Sequence, residues 1–312
     1  MRRRRALCLG VTSFGASDGD AEPEPALDGW SPLPYAAARA EEVQSRLAEF
    51  GYETEVAADL PARELGARVR RLVDTSGDGD AVVAHLLSHG ERATTGLYAI
   101  GADGERNDLT KIDTWLGWVA DSRTSSPHTL FLLDLCGAGA ATRLPWQLET
   151  AGRDGRVWVI AATGPDESAY DGRFSQAVSH VLAAVREGEL DLHSSLEYVP
   201  LGTLITHIRA EVDRLGGDGL GQRVTATPID GEYPPLPFFR NPGYQDDPVR
   251  RATAMADPAT AAFLDAAHFV DRASGTARCA TRSPPAASRV APKNSPGSRD
   301  GWTRAGPRRS AW

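Results

Sequence analysis

Four short runs of almost continuous apolar residues predict β-strands that are buried on both faces. The runs cover residues 5–11, 81–87, 129–135 and 156–162, and each is bounded by Gly, Pro, Asp or Ser. Strands of a parallel sheet that lies between two layers of helices have this pattern, because neither face of such a sheet meets water. The sequence therefore predicts a covered, mostly parallel sheet.

Helical patterns lie between and after these strands, with apolar residues at three- and four-residue spacing. They cover residues 36–50, 61–73, 111–119, 172–186 and 201–215. In the second helix Pro61 is predicted as the first helical residue, with Asp59 as its N-cap. The alternation of strands and helices predicts βαβ units and an α/β fold. Long loops are expected at residues 12–33, 90–108 and 137–156.

The C-terminal part of the chain has a different composition. Residues 232–239 are rich in proline, which predicts a closing edge segment or a loop. Residues 278–312 are rich in Pro, Ser and Arg and contain no aliphatic run. Such a segment buries too little apolar surface to offset its ordering entropy, so we expect a disordered basic tail. We predict one folded domain over residues 1–244 and a connector over 245–277.

Charge and composition exclude several kinds of partner and site. The chain has 34 basic and 42 acidic residues, a net charge of −8, so no nucleic-acid or anionic membrane partner is expected. It contains no apolar run long enough for a transmembrane helix and no signal-peptide pattern after its first residues. Its three cysteines are too few for a disulfide scaffold or a zinc site. These features predict a soluble cytoplasmic protein.

Two of the predicted strands end in residues that can carry chemistry. His89 follows the second strand in Leu-Ser-His-Gly-Glu, and Cys136 follows the third in Asp-Leu-Cys-Gly-Ala-Gly. Functional groups gather at the carboxyl ends of parallel strands, and an imidazole there can activate a thiol. The backbone N–H groups of Gly90 and Cys136 could then stabilise an oxyanion. On spacing alone, a lone cysteine is more often a small buried hydrophobe. The other histidines have no special local context.

The two motifs resemble the catalytic signatures of the caspase-like cysteine peptidases, which include caspases, metacaspases and paracaspases. His89 and Cys136 are about 50 residues apart, as the pair is in caspases. Residues 33–40, 166–175 and 240–242 also resemble segments of this family, so that the resemblance covers residues 4–244. It implies a caspase-like fold with helices on both faces of the sheet. Asp134-Leu-Cys136 is closer to metacaspases than to caspases proper.

The resemblance implies a cysteine endopeptidase in which Cys136 is the nucleophile and His89 the general acid/base. Asp134 shares a face with Cys136, two residues away, and is expected to bind a substrate residue with a basic side chain, Arg more strongly than Lys. Alternatively, Asp134 pairs with an internal arginine or caps a backbone N–H group. Arg39 stands where bacterial members often have Asp, so it could neutralise Asp134. Ala138 stands where Ser is usual.

Further expectations concern processing, cofactors and partners. The loop over residues 137–156 is expected at the edge of the nucleophile, with Arg143, Arg153 and Arg156 as candidate self-cleavage sites. No organic cofactor is implied by the resemblance. Some metacaspases need Ca²⁺, so calcium dependence is an alternative, but the acidic run at residues 74–80 lacks the ligand spacing of a calcium loop and predicts a turn without a metal.

The expected partners are protein or peptide substrates. Residues 257–271 resemble a connector that joins such peptidases to an NTPase or repeat module in longer relatives. The alternative functions are a catalytically inactive caspase-like interaction module and another cysteine-dependent acyltransferase.

Overall fold

A mixed α/β arrangement is present in the computed structural model, which describes residues 3–15, 29–121, 127–143, 156–217, 221–227 and 236–246. The strands are β1 (Arg4–Gly10), β2 (Glu53–Ala58), β3 (Ala81–Leu87), β4 (Gly90–Ala93), β5 (Gly96–Ala99), β6 (His128–Asp134), β7 (Val157–Ala161) and β8 (Thr225–Ala226). The helices are α1 (Ala36–Glu49), α2 (Ala62–Asp74), α3 (Ile112–Ala120), α4 (Arg173–Glu187) and α5 (Leu201–Gly216), with a 3₁₀ helix over Ala138–Arg143.

The central sheet has six strands in the order β2-β1-β3-β6-β7-β8. All neighbouring pairs are parallel except β7 and β8, which are antiparallel. The predicted α/β fold with a mostly parallel sheet is therefore confirmed. The four predicted strands and five predicted helices are all present, with ends that differ from the prediction by no more than one residue.

Three parts of the fold were not predicted. Strand β2 lies at an edge of the sheet, is largely exposed and has no apolar run. Residues 90–99, expected in a loop, contain the antiparallel β4–β5 hairpin. Strand β8 has only two residues.

In the proline-rich segment, the described residues 236–239 end in buried Phe238 and Phe239, and Arg240 forms a bridge to Tyr198.

Alternate side chains of the central strands enter two separate cores. One core packs against α1, α4 and α5 and includes Val83, Leu130, Leu132 and Ile160. The other packs against α2 and α3 and includes Val82, Ala84, Phe131 and Val159. Since successive residues of a strand point to opposite faces, continuous apolar strands require a helical layer on each face.

The first turn of α2 differs from the prediction. Pro61 precedes the first helical residue instead of occupying it. The Ala62 N–H group donates to the carboxylate of Asp103 at 3.1 Å, so Asp103 caps the helix from another segment. Asp59, the predicted cap, has a positive φ of 51°. Its carboxylate accepts hydrogen bonds from the N–H and hydroxyl groups of Thr12, so it holds the segment that follows β1.

The acidic run before β3 forms a turn, as predicted. The Asp80 N–H group donates to the Gly77 carbonyl at 3.1 Å, and the Asp80 carboxylate accepts hydrogen bonds from the N–H groups of Gly77 and Arg3. Asp78 pairs with Arg156. Within the described ranges, no group of three or more His, Cys, Asp or Glu residues could hold a metal ion.

The predicted tail over residues 278–312 lies outside the described residues, as does the connector beyond Asp246. The predicted domain boundaries therefore remain predictions. In the part of the chain that the structure describes, no helix is both long enough and apolar enough to span a bilayer.

Candidate active site

His89 and Cys136 lie at the same edge of the sheet. Strands β3 and β6 are hydrogen-bonded neighbours in which Leu87 is paired with Asp134. The Ser88 N–H group continues the pairing by donating to the Asp134 carbonyl at 3.3 Å. Because both strands are parallel and end together, His89 and Cys136 follow at the same level of the sheet.

The backbones of Gly90 and Cys136 approach each other closely. A Cβ atom at Gly90 would lie 2.3 Å from the Cys136 carbonyl oxygen, so only glycine fits here. The Ile100 N–H group donates to the His89 carbonyl at 3.1 Å, which makes these two residues a hydrogen-bonded pair. The next pair, Gly90 and Ala99, is then not hydrogen-bonded, so the Gly90 N–H group is outside the β4–β5 ladder. The Cys136 N–H group donates to no described residue.

The imidazole of His89 is held by three residues from the described segments on either side of residues 16–28. Its Nε2 lies 2.7 Å from the Ser31 carbonyl oxygen. Its ring stacks on Trp30 with a centroid distance of 5.1 Å, and the ring of Phe14 lies 4.7 Å away. A carbonyl only accepts, so Nε2 carries the hydrogen and Nδ1 has the free lone pair in the neutral ring. None of these three residues was predicted from the sequence, because they belong to no motif.

The two described cysteines have different surroundings. Cys136 is half-buried, and its Sγ accepts a hydrogen bond from the Ala169 N–H group at 3.4 Å. Gly137, with a φ of 68°, turns the chain directly after it. Cys8 is fully buried in β1, and burial raises the pKa of its thiol above the ordinary range. Of the described thiols, Cys136 is therefore the one that a substrate can reach.

Asp134 is almost completely buried, with 2% of its surface exposed. Its Oδ2 accepts hydrogen bonds from the Ser175 N–H group at 3.0 Å and from the Ser175 hydroxyl at 2.7 Å. Burial raises the pKa of Asp134 to about 6, although the hydrogen bonds from Ser175 lower it. The carboxylate thus caps a backbone N–H group at the start of α4, which is one of the alternatives considered from the sequence.

The other carboxylate oxygen of Asp134 has a different environment. Oδ1 accepts no hydrogen bond from the described residues. Some of its surface is nevertheless accessible. Oδ1 is therefore unpaired among the described residues and not completely enclosed, although only 2% of the Asp134 surface is exposed. The two hypotheses for Asp134 are compatible, because one oxygen caps the helix and the other can meet a ligand.

Tyr35 was not among the predicted site residues, and it lies near Asp134 and Cys136. Burial raises the pKa of its phenol to about 12, and the negative charges of Asp134, Asp171 and Cys136 act in the same direction. Its ring packs on Gly172, where a Cβ atom would lie 2.9 Å from a ring carbon. At neutral pH the Tyr35 hydroxyl is therefore protonated and available as a hydrogen-bonding group.

Arg39 does not neutralise Asp134. Its guanidinium donates to the Glu42 carboxylate at 2.7 Å and to the Gln176 side chain at 3.0 Å. It forms no ion pair with Asp134, and no positive charge contributes to the pKa of that carboxyl group. The expectation that Arg39 could close a basic pocket is therefore wrong for this arrangement.

The three candidate processing sites are differently placed. Arg143 ends the 3₁₀ helix, and Arg153 lies outside the described residues. The Arg156 carbonyl accepts a hydrogen bond from the Thr129 N–H group at 2.9 Å, directly before β7 begins. This is the amino end of the parallel sheet, whereas Cys136 lies at the carboxyl end. The expectation that this loop lies wholly at the edge of the nucleophile is therefore wrong at Arg156.

Comparison with known proteins agrees with this geometry. The family model of the caspase domain, from the C14 peptidases, matches residues 3–227. The chain belongs to the caspase-domain family. The predicted resemblance is thereby confirmed, and the paired strand ends that carry His89 and Cys136 lie inside the caspase domain. Cysteine-type peptidase activity is characteristic of this family.

The fold resembles that of a solved caspase structure. Caspase-1 from Spodoptera frugiperda is 15% identical, with a TM-score of 0.53, over 72% of this chain and 86% of that chain. At this identity the likeness shows the fold alone. Protein GSU0716 from Geobacter sulfurreducens is 12% identical, with a TM-score of 0.44, over 78% of this chain and 98% of its own. A comparison with curated proteins gave no significant match.

Proposed function

We propose that this caspase-domain protein is a cysteine endopeptidase that cleaves after Arg, and more weakly after Lys. Cys136 is the nucleophile and His89 the general acid/base. The observation that carries the proposal is the position of the half-buried Cys136 thiol and of His89, which follow neighbouring strand ends at the same level of the sheet. The Ser31 carbonyl accepts the hydrogen of the His89 Nε2 atom. That hydrogen bond leaves Nδ1 as the basic atom.

The chemistry follows from these groups. The His89 Nδ1 atom takes the proton of the Cys136 thiol, and the thiolate attacks the carbonyl carbon of the scissile bond. The N–H groups of Gly90 and Cys136 bind the oxyanion that forms. Protonated His89 then gives its proton to the leaving amine, so that an acyl-enzyme remains. A water molecule, deprotonated by His89, hydrolyses the thioester and restores the thiol.

The preference for a basic residue before the scissile bond, the P1 residue, is attributed to Asp134. Its Oδ1 accepts no hydrogen bond from the described residues, and these residues place no cation against it. A guanidinium can donate one hydrogen bond to Oδ1 and another to the protonated Tyr35 hydroxyl. Lysine has a single ammonium group and makes fewer such bonds at once. An acidic P1 side chain is repelled by the charge of Asp134.

The test combines a thiol-reactive active-site probe with a peptide library that varies the P1 residue. We expect the probe to label Cys136 and to leave Cys8 and Cys279 unlabelled. Cys136→Ala should abolish hydrolysis, and His89→Ala should lose nearly as much because the two residues act as a unit. Cys8→Ala, the same change at a buried thiol, is the matched control and should retain activity.

The alternatives predict other results. Retention of activity within about ten-fold by either catalytic variant, a change below 1.4 kcal/mol, would overturn the assignment. A protein that neither reacts with the probe nor cleaves any peptide would be an inactive interaction module. Because the carboxylates of residues 74–80 bind protein groups, we also expect a metal chelator to leave hydrolysis unchanged.

A further inference from the structure

A chain of three buried polar side chains lies behind the proposed P1 pocket. Asp134 accepts a hydrogen bond from the Ser175 hydroxyl at 2.7 Å, and the Ser175 Oγ lies 2.8 Å from Nε2 of His85. The exposed fractions of Asp134, Ser175 and His85 are 2%, 0% and 1%. These residues come from β6, α4 and β3, so only the tertiary structure brings them together.

The hydrogen bonds of this chain have a defined direction. An ionised carboxylate only accepts, so the single hydrogen of the Ser175 hydroxyl goes to Asp134. His85 must then donate its Nε2–H to the Ser175 oxygen. Burial lowers the pKa of His85 to about 3, so the imidazole is neutral at physiological pH and has one N–H.

The opposite atom of the His85 ring is unusual. Its Nδ1 is enclosed and has no hydrogen-bond partner among the described residues. An enclosed acceptor without a partner destabilises a fold by about 1–3 kcal/mol, and an apolar side chain of similar size would avoid this loss. Packing therefore does not explain a histidine here. Among the described residues, the one hydrogen bond of the His85 imidazole is that to Ser175.

We propose that Ser175 and His85 are positioning residues for P1 selectivity, which hold Asp134 ionised with Oδ1 directed to the substrate. This inference rests on the proposed function, because it concerns the same pocket. His85 orients the Ser175 hydroxyl, and the hydroxyl together with the Ser175 N–H group immobilises Oδ2. The Oδ1 atom, which has no hydrogen-bond partner among the described residues, is then the atom that a P1 guanidinium binds.

The other titratable and charged groups around this part of the site do not perform this task. They are Tyr35 from the segment before α1, whose pKa is raised by the charges of Asp134, Asp171 and Cys136, and Arg39 of α1, which is bound to Glu42 and Gln176. None of them places a positive charge on the carboxylate. The ionised form therefore depends on Ser175 and on the amino end of α4, where the N–H groups of the first turn lack helical acceptors.

The first test is the pH dependence of kcat/KM for a P1-Arg peptide and for the same peptide with P1-Gln. In Ser175→Ala we expect the acid limb for P1-Arg to move up by about one pH unit, because a hydrogen bond to the ionised form is lost. Selectivity for Arg over Gln should fall about ten-fold. Ser175→Thr, which keeps the hydroxyl, should restore both. Ser179→Ala, one helical turn further along α4 and also buried, is the control.

The second test separates positioning from support of the fold. His85→Leu removes the donor and also the enclosed Nδ1 atom. We expect an unchanged or higher melting temperature together with reduced selectivity for P1-Arg. His85→Gln keeps an N–H donor and should retain more of this selectivity. A lower melting temperature with unchanged selectivity and pH profile in His85→Leu would overturn the proposal.

A readout that does not need turnover distinguishes failure of this inference from failure of the proposed function. In the Cys136→Ala background, ¹³C-carboxyl NMR measures the Asp134 titration with and without Ser175→Ala. An upward shift of the Asp134 pKa by about one unit in Ser175→Ala supports the role of Ser175. If this shift is found and no P1-Arg peptide is cleaved, the proposed function alone is overturned. P1-Arg cleavage that needs Asp134 but is indifferent to Ser175→Ala, with no NMR shift, would overturn the inference alone.

Discussion

At the scale of single residues, the site contains a buried carboxyl group that the fold would be more stable without. Asp134 is removed from water, and its hydrogen bonds with Ser175 compensate only in part, so that the pKa of its carboxyl group rises from 3.8 to about 6. Raised pKa values from burial are concentrated at functional sites, where a charge is kept for binding or chemistry. The position of Asp134 two residues before Cys136 agrees with such a role.

The raised pKa of Asp134 predicts a specific pH dependence of stability. Between about pH 4 and 6 the folded state holds a proton that the unfolded chain has lost, so stability falls as the pH rises through this range. Asp134→Asn keeps an oxygen for Ser175 but does not ionise. We expect its free energy of unfolding to exceed that of the natural protein by about 2 kcal/mol more at pH 7 than at pH 4. P1-Arg cleavage by the same variant should fall ten-fold or more.

Chemical denaturation at pH 4, 5, 6 and 7 measures this difference. Asp108→Asn, at an exposed acid that is not among the groups around the site, is the control for the loss of a carboxylate. Parallel stability curves for Asp134→Asn and the natural protein would contradict the prediction.

At the scale of elements, the ends of strands and helices build the site, and side chains from distant segments complete them. The end of β3 continues into the β4–β5 hairpin, which keeps the Gly90 backbone against Cys136. The start of α4 receives a carboxylate from β6, and the start of α2 receives one from the segment after β5. Such caps satisfy N–H groups of the first turn that have no acceptor within their own helix.

The cap of α2 can be tested separately from the active site. Asp103→Ala leaves the Ala62 N–H group without its acceptor and should lower the free energy of unfolding by about 1 kcal/mol. Peptide cleavage at a temperature well below unfolding should be unchanged. Asp108→Ala, at an exposed acid of the same segment, is the control for the loss of a charge. Equal stability of the two variants would show that Asp103 does not cap α2.

At the scale of the whole molecule, the parallel sheet separates its two ends. Cys136 lies at the carboxyl ends of the strands, and the Arg156 carbonyl is hydrogen-bonded at their amino ends. A strand of the sheet spans the distance between them, so Cys136 cannot reach this peptide bond within the same molecule. The likeness to a caspase at 15% identity agrees with an architecture that depends on the pattern of buried positions more than on particular residues.

This arrangement predicts which self-cleavage products form. Fragments of the purified protein should start at Leu144 or Asp154 and not at Val157, because the Arg156 carbonyl belongs to the sheet. Intact mass and N-terminal sequencing identify the products, and Cys136→Ala should remain uncut. Addition of the natural protein to Cys136→Ala shows whether cleavage occurs between molecules. A fragment that starts at Val157, or the same fragments in Cys136→Ala alone, would contradict the prediction.

The sequence by itself determined the main elements and the two residues that we propose as the catalytic pair. Buried parallel strands and amphipathic helices are patterns of neighbouring positions, so four strands and five helices were predicted with accurate ends. His89, Gly90 and Cys136 lie in two short motifs, which are also local. Strands β4, β5 and β8 were missed because they have only two to four residues, and β2 was missed because it is largely exposed.

Only the tertiary structure decided how the site is held and tuned. The Ser31 carbonyl that orients His89, the Tyr35 ring and the His85–Ser175 chain behind Asp134 come from segments far apart in sequence. Ser175 and His85 have no local signal, because a hydroxyl and an imidazole in apolar segments gain their role from the partner that the fold places beside them. The pKa of Asp134 was equally unpredictable, since it depends on how completely other elements exclude water from that carboxyl group.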